Sequence, residues 1–329
     1  MSVAPSDAFH RKIDYLRLSI TDRCNLRCLY CMPEEGVAKF EHAQILSYEE
    51  ILRLARICIS MGISKVRITG GEPLVRKEAL KLCRAIAGIE GLESLTMTTN
   101  GVLLCDFAKE LFQAGIRRVN ISLDTLKPER FLQITRRDLF KRVWAGIMAA
   151  QQAGFSTVKI NTVVMAGIND DEIEDLARLT FRSALHVRFI EYMPFKEDAY
   201  QARFFPAARI LDRLRPLGRL EEVSAGEADG PAKHYSFKGA LGKIGVIGAV
   251  SNHFCSRCNR LRLTADGKLK TCLFSADETD LRLLLRTGAK DSDITDAIVS
   301  AVQKKPERHH LGDPVFRKCI ARPMFSIGG

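Results

Sequence analysis

The chain has 329 residues, of which 46% are hydrophobic and 27% charged, with 23 glycines and 11 prolines. These values are typical of globular domains and exclude disordered, collagen-like and small disulfide-stabilised chains. Fifty Lys and Arg residues outnumber 39 Asp and Glu residues, and the net charge of +11 predicts an anionic partner. One Trp and six Tyr offer few rings for base stacking, and the basic residues are scattered, so a phosphorylated small molecule is favoured over nucleic acid.

The sequence also carries information on cellular location. Its longest apolar runs fall far short of the roughly 18 residues that a membrane-spanning helix needs. The first ten residues lack both the basic and the apolar segment of a secretion signal. We therefore expect a cytoplasmic protein with neither a membrane nor a nucleic acid as partner.

Apolar, β-branched runs alternate with helical periodicity over the first 192 residues. The first helix is predicted from Ser47, which forms a capping box with Glu50 ahead of an apolar i, i+3, i+4, i+7 pattern. A second capping box is expected at Asn169 and Glu172. Strands are predicted over 15–21, 66–70, 95–99, 119–123, 158–164 and 187–192, and further helices over 77–89, 105–114, 140–153 and 170–181.

Six consecutive β-α units require a parallel sheet with right-handed crossovers. An open doubly wound sheet and a barrel both satisfy the pattern. Polar residues follow four of the strands, at 21–22, 69–72, 98–100 and 122–124. In a barrel they would meet at the rim where such enzymes keep their chemistry.

The β-α rhythm stops after Pro194. Residues 195–235 are predicted to form a connection with an exposed loop, followed by short strands within 240–250 and 261–273 and helices over 279–287 and 291–303. We place a domain boundary near residue 215, which divides the chain into an N-terminal domain, 1–215, and a C-terminal domain, 216–329.

The first cysteine triplet is Cys24, Cys28 and Cys31, a C-x3-C-x2-C loop directly after the first strand. A structural zinc site and plain buried thiols are the alternatives, although zinc would want a fourth ligand. Three soft thiolates in one loop suit an iron–sulfur cluster, and a four-iron cluster held by three cysteines leaves one iron open for a ligand.

The second cysteine triplet is Cys255, Cys258 and Cys272, in the pattern C-x2-C-x13-C. Spacing alone allows structural zinc with His253 or Cys319 as fourth ligand. Arg260 and Arg262, however, stand at i, i+2 on one face of a predicted strand beside the triplet, and guanidinium groups match phosphate oxygens. The other cysteines are expected not to be ligands, namely Cys58, Cys83, Cys105 and Cys319.

Two independent motifs resemble the radical S-adenosylmethionine superfamily. The first triplet has Tyr30 before its last cysteine, and Gly70-Gly71-Glu72-Pro73 follows the second strand. The resemblance implies a partial (β/α)6 barrel of TIM type with a C-terminal α+β extension. It also implies one-electron cleavage of S-adenosylmethionine to methionine and a 5′-deoxyadenosyl radical.

The motifs together are most similar to the branch of that superfamily that cyclises GTP in molybdenum cofactor biosynthesis. This resemblance runs from about Tyr15 to Gly328-Gly329 and includes residues 22–31, 67–73, 189–194 and 252–262. It implies that GTP becomes (8S)-3′,8-cyclo-7,8-dihydroguanosine 5′-triphosphate. An external electron donor and a downstream cyclic pyranopterin synthase are implied partners, and a homodimer is left open.

The same resemblance implies residue roles. The first triplet would hold the [4Fe–4S] cluster that binds S-adenosylmethionine, and the second a [4Fe–4S] cluster whose open iron meets the guanine. The residues lining S-adenosylmethionine would be Tyr30, Gly71, Ser122 and Met193. Those contacting GTP would be Arg17, Arg67, Thr98, Lys159, Arg260, Leu261 and Arg262.

Each of these residues could also have a purely structural role. Arg17 and Arg67 inside strands could belong to ordinary ion pairs unless their side chains point inward, and a barrel-interior Lys159 would need an anion. The terminal Gly328-Gly329 would ordinarily be a frayed end, whereas the resemblance places it at the active site. Two other functions remain as alternatives: a radical peptide-modifying enzyme with an auxiliary cluster, and a zinc-stabilised nucleic-acid-binding module.

Overall fold

One mixed sheet organises the molecule. The computed structural model describes residues 4–36, 40–195, 200–224, 230–309, 311 and 322–328. Within those ranges, twelve strands pair in the order β12-β11-β10-β1-β2-β3-β4-β5-β6-β9-β8-β7.

The six predicted strands and the five predicted helices of the N-terminal part are confirmed, and one helix that was not predicted lies between the fourth and fifth strands. The strands are β1 (Tyr15–Ser19), β2 (Lys65–Thr69), β3 (Ser94–Thr99), β4 (Arg118–Ser122), β5 (Thr157–Val164) and β6 (His186–Glu191). The helices are α1 (Tyr48–Ser60), α2 (Ala79–Ala87), α3 (Leu104–Gln113), α4 (Pro128–Thr135), α5 (Phe140–Gln152) and α6 (Ile173–Arg182). Pairing from β1 to β6 is parallel throughout, as the crossover helices require.

The later part of the chain adds strands to both edges of this sheet. Its helices are α7 (Tyr200–Arg203), α8 (Ala207–Leu214), α9 (Leu281–Arg286), α10 (Asp291–Gln303) and α11 (Met324–Ile327). Its strands are β7 (Leu220–Val223), β8 (Lys233–Phe237), β9 (Lys243–Ile247), β10 (Arg260–Leu263), β11 (Lys268–Lys270) and β12 (Thr279–Asp280). Strand β10 pairs parallel with β1, and β9 pairs parallel with β6. The result is an open, partial barrel whose two edges both come from the C-terminal extension.

Local sequence signals explain one helix start and fail at another. The side chain of Ser47 accepts from the Glu50 amide at 3.2 Å, and Glu50 accepts from the Ser47 amide at 2.7 Å, so this capping box is confirmed. The box predicted at Asn169 is wrong, because Asn169 makes no capping hydrogen bond. Its side-chain amide instead donates to the carbonyls of Asp124 and Val163, which ties the loop to β4 and β5.

Residues 195–235 contain more regular structure than the predicted connection. Helix α8 packs its buried residues Ile210 and Leu214 against the sheet, and β7 pairs antiparallel with β8. The expected exposed loop coincides with residues 225–229, which lie outside the described residues. The division at residue 215 stays a prediction.

Alternation along the strands separates the core from the barrel interior. Leu16 and Leu18 of β1 belong to the main hydrophobic core, whereas Tyr15 and Arg17 face the interior cavity. This period of two places polar residues inside the barrel and apolar ones under the helices. Among the described residues, the structure has no helix long and apolar enough to cross a membrane.

Candidate active site

A cavity of about 350 Å³ occupies the barrel interior. Its lining contains all six residues of the two cysteine triplets, one triplet from the loop after β1 and the other from the extension. Most of the polar residues predicted to meet at the rim line this cavity, including Thr98, Asn100 and Asp124, whereas Thr21, Asp22 and Glu72 do not. One cavity therefore joins the two sets of thiols.

The loop that carries the first triplet is fastened to its surroundings by backbone hydrogen bonds. The amides of Arg27 and Leu29 donate to the carbonyls of Thr135 and Ile134, both at 2.9 Å. The Cys31 amide donates to the Cys28 carbonyl at 3.0 Å. These bonds fix the loop against the end of α4 and hold the three thiols on the cavity wall.

Two glycines allow this loop to lie directly on the end of β2. A Cβ atom at Gly70 would come within 2.7 Å of the Thr21 carbonyl oxygen, and one at Gly71 within 2.4 Å of the Arg23 carbonyl oxygen. The Gly71 amide donates to that Thr21 carbonyl at 2.7 Å. A side chain at either position would push the cysteine loop away from the sheet.

Buried carboxylates surround the first triplet. Glu72 accepts from the Asn100 amide at 2.6 Å and from the Thr99 hydroxyl at 2.8 Å, and burial raises its pKa to about 7. Asp124 accepts from the Tyr30 hydroxyl at 2.8 Å, and burial raises its pKa to about 6. Burial, with Glu72 adding to it, raises the pKa of Cys24 to about 11. This end of the cavity favours positive charge.

The second triplet lies among cations. Lys305 is 3% exposed and donates to the Arg260 carbonyl at 3.0 Å and to the Thr271 carbonyl. Arg11 donates to the Cys255 carbonyl at 2.7 Å. Burial raises the pKa of Cys258, but Lys305 and Arg260 lead the opposing effects, and the net pKa is lowered.

Between the triplets the cavity wall is cationic. Among the described residues that line it, Asp124 is the only carboxylate, and the cations are Arg17, Lys65, Arg67, Arg118, Arg188, Arg260 and Arg262. Arg17 and Arg262 are buried, at 9% and 8% exposure. Burial and the neighbouring Arg262 lower the pKa of Arg17 well below its usual value. So dense a set of cations favours a polyanionic ligand.

The structure brings most of the predicted binding residues together. The inward direction expected for Arg17 and Arg67 is confirmed, and the cavity lining also includes Tyr30, Gly71, Thr98, Ser122, Met193, Arg260 and Arg262. Leu261 does not line the cavity; its side chain is fully buried in the hydrophobic core. Lys159 is 3% exposed and also lies outside the lining, two residues before the cavity-lining Asn161 on β5.

The C-terminal segment enters the same cavity. Met324 and Phe325 of α11 line it, and the Gly328 carbonyl accepts from Arg262 at 3.1 Å and from Arg17 at 3.4 Å. The expected approach of the tail to the site is thus seen for Gly328, while Gly329 lies outside the described residues.

Several site residues escaped the sequence analysis. Arg118 and Arg188 line the cavity from strand positions that alternate with core residues, so the period of two along β4 and β6 could have found them. Arg11 and Lys305 donate hydrogen bonds to backbone carbonyls around the second triplet. Both are distant from it in the chain, so no local sequence pattern could have predicted these contacts.

Three of the remaining cysteines lie away from the cavity. Cys58 and Cys83 are buried, at 1% and 0% exposure, in the core between α1 and α2. Cys105 is partly exposed at the start of α3. None of these three lines the cavity, and Cys319 lies outside the described residues.

The donor chemistry of both triplets fits iron–sulfur clusters. The Leu26 amide donates to Cys24 Sγ at 3.4 Å and the Asn100 side-chain amide at 3.6 Å, and hydrogen bonds of this kind stabilise cluster sulfur. The positive charges of Lys305 and Arg260 stabilise the thiolate form of Cys258, which is the form that binds iron. Within the described part of the chain, no three His, Cys, Asp or Glu side chains are grouped tightly enough to hold one metal ion.

Comparison with known proteins shows which family the chain resembles. Residues 18–180 match the model of the radical SAM superfamily, and residues 185–311 match that of Molybdenum Cofactor Synthesis C. The GTP 3′,8-cyclase of Pelotomaculum thermopropionicum is 48% identical over 98% of this chain and 99% of its own length. That of Geobacter sulfurreducens is 51% identical over 93% and 94%. The chain belongs to the GTP 3′,8-cyclase family.

Membership in the GTP 3′,8-cyclase family confirms the predicted radical SAM fold and enzyme class, with S-adenosylmethionine and two [4Fe–4S] clusters as cofactors. The fold is also that of Streptococcus suis SuiB, solved with bound S-adenosylmethionine. That structure superposes with a TM-score of 0.58 over 89% of this chain and 72% of its own, at 16% identity.

Proposed function

We propose that this chain converts GTP to (8S)-3′,8-cyclo-7,8-dihydroguanosine 5′-triphosphate, the first step of molybdenum cofactor biosynthesis. The observation that carries the proposal is the single cavity shared by two cysteine triplets, with cations on the wall between them. A nucleoside triphosphate brings about four negative charges, and their burial requires fixed positive partners.

Each triplet has its own task in this proposal. Cys24, Cys28 and Cys31 would hold the cluster at which S-adenosylmethionine binds, lined by Tyr30, Gly71, Ser122 and Met193. When bound, these groups supply hydrogen-atom abstraction from the substrate ribose. Cys255, Cys258 and Cys272 would hold the second cluster, whose open iron meets the guanine base.

The protein's own side chains bind and orient the substrate. Arg17, Arg67, Arg260 and Arg262 project into the cavity and would hold the phosphates, with Thr98 beside them. The Thr98 hydroxyl is buried without a hydrogen-bond partner among the described residues, so it is available to a ligand. Lys159 and Leu261 are included in the GTP site only because the family resemblance implies them, since neither side chain lines the cavity.

The decisive experiment is a product assay on anaerobically purified, reduced protein. With GTP and S-adenosylmethionine we expect the cyclised nucleotide together with 5′-deoxyadenosine, about eight irons per chain and matching sulfide. ATP in place of GTP should give no cyclised product. Zinc without sulfide would point to the nucleic-acid-binding module, and turnover of a peptide but not of GTP would point to a peptide-modifying enzyme.

We further propose a cytoplasmic enzyme that receives electrons from an external donor and passes its product to a cyclic pyranopterin synthase. A homodimer is compatible with the proposal. Size-exclusion chromatography with light scattering on the holoenzyme would establish the assembly.

A further inference from the structure

Six cavity-facing positions on three neighbouring strands form a small grid. The strand register places β10, β1 and β2 side by side, so the positions align in two rows. The rows are Arg260–Tyr15–Lys65 and Arg262–Arg17–Arg67, and all six residues line the cavity. Neighbouring strands are about 4.8 Å apart, so five cationic side chains crowd around one neutral residue, Tyr15. One of them, Lys65, is ion-paired with Asp14 at 2.9 Å, and the other four are arginines.

The ring of Tyr15 contacts two of these cations. The guanidinium carbon of Arg67 lies 5.6 Å from the ring centroid, and that of Arg260 lies 5.7 Å from it. Among the described residues, neither guanidinium forms an ion pair with a carboxylate, and Arg67 Nε is buried without a hydrogen-bond partner. A cation–π contact attracts a guanidinium without neutralising it. The ring therefore orders Arg67, and orders Arg260 together with the Phe254 ring, whose centroid lies 5.3 Å from that guanidinium. Both contacts leave the charge for a ligand.

The hydroxyl of Tyr15 also lacks a partner in the part of the chain that the structure describes. Its oxygen is buried and has no hydrogen-bond partner among the described residues. A buried hydroxyl without a partner is costly, which indicates that a ligand completes it. Burial raises the pKa of Tyr15, but Arg67, Arg17, Arg260 and Arg188 together lower it. The surrounding field thus makes this hydroxyl a good donor toward an anion.

We propose that Tyr15 is a positioning residue of the substrate site: its ring holds Arg67 and Arg260 in place, and its hydroxyl donates to a phosphate oxygen of the bound nucleotide. The inference rests on the proposed function for the identity of the nucleotide. The contact itself needs only a phosphate chain, so inorganic triphosphate is a sufficient probe.

Two variants separate the hydroxyl from the ring. Tyr15→Phe keeps the ring, and Tyr15→Leu removes both parts. Calorimetric titrations of the anaerobic holoenzyme with GTP, inorganic triphosphate and guanosine would measure each contribution. We expect Tyr15→Phe to weaken GTP and triphosphate about tenfold, Tyr15→Leu to weaken them further, and guanosine affinity to be unchanged in both. Tyr235→Phe, on β8 outside the cavity, is the matched control and should leave all three affinities unchanged.

A kinetic readout guards against a merely structural effect. Tyr15→Phe should raise KM for GTP about tenfold with kcat nearly constant and the iron content unchanged. Wild-type triphosphate affinity in Tyr15→Phe would overturn the hydroxyl contact, and an equal loss of guanosine affinity would place Tyr15 at the base instead. Wild-type affinity in Tyr15→Leu would overturn the ring contact as well. If wild type binds triphosphate but forms no cyclised product, the proposed function fails while the Tyr15 measurement still stands.

Discussion

The two ends of the cavity offer the same ligand type, three cysteines, in opposite electrostatic surroundings. The first triplet lies near the buried carboxylates of Glu72 and Asp124, which carry raised pKa values. The second lies near Lys305, Arg260 and Arg262, which lower the pKa of Cys258. Cysteine spacing alone therefore does not show what binds beside a triplet. The charges of the neighbouring side chains determine whether that ligand is a cation or an anion. The first end suits a cation such as a sulfonium, and the second a polyanion.

The largest expected contrast comes from removing one triplet at a time. Cys28→Ser should abolish both 5′-deoxyadenosine formation and cyclisation, since the first cluster is lost. Cys272→Ser should abolish cyclisation and guanine selectivity while cleavage of S-adenosylmethionine persists. Iron and sulfide analysis should show about half the wild-type content in each variant. Full cyclisation by the Cys272 variant would contradict the division of tasks.

Neutralising a buried cation at the second end should have the next largest effect. We expect Arg262→Leu to weaken GTP binding about a hundredfold, because a desolvated charge contact is lost, with S-adenosylmethionine affinity unchanged. Equilibrium binding of both ligands would check this. Arg178→Leu, whose side chain is 59% exposed on α6, serves as the control. Unchanged GTP affinity in Arg262→Leu would show that the phosphates bind elsewhere.

The next prediction concerns the ion pairs that anchor the C-terminal tail beside the cationic end of the cavity. Arg322 contacts Asp266 at 2.9 Å and Glu278 at 2.6 Å, just before α11. Arg322→Met should leave both carboxylates without this partner and raise the rate of tail release by carboxypeptidase about tenfold or more. Arg322→Lys keeps the charge without the planar fork and should fall between the two. Equal digestion of all three proteins would exclude an anchoring role.

A smaller effect is expected from the pH dependence of ligand binding beside the first triplet. A cationic ligand favours ionised Asp124, and the raised pKa of about 6 means that below this pH binding must first displace a proton. The affinity for S-adenosylmethionine should therefore rise severalfold from pH 5 to pH 7. Asp124→Asn should flatten this dependence, whereas Asp171→Asn, at an exposed ion pair, should retain it. A wild-type profile in Asp124→Asn would refute the assignment.

The smallest effect is expected away from both ends. Cys58→Ala and Cys83→Ala remove buried thiols that pack as small apolar groups and should cost about 1 kcal/mol of unfolding free energy each. Iron content should match wild type. Loss of iron in either variant would mean that a third set of thiols had been overlooked.

Much of the barrel was predictable because its signals are local. Apolar periodicity located all six parallel strands and five of the helices between them, but it missed α4 and the helix α8 after the sixth strand. The first triplet followed directly from its spacing. The edges of the sheet were less accessible, since β10 finds its partner β1 more than two hundred residues earlier in the chain. The same holds for Arg11 and Lys305, whose contacts with the second triplet are entirely tertiary. Asn169 shows the opposite failure: its local sequence pattern predicts a helix cap, but its side chain contacts β4 and β5 instead.

The pairing of β1 with β10 bears on how the molecule is made. Strand β1 carries the cysteine loop, yet one of its two hydrogen-bonding edges waits for residues 260–263. At synthesis rates of about 5–20 residues per second, roughly 10 to 50 seconds pass before that partner leaves the ribosome. During this interval β1 presents an unpaired edge, a known route to misassociation between chains. Any delay in the synthesis or folding of the extension would therefore prolong the exposure of this edge.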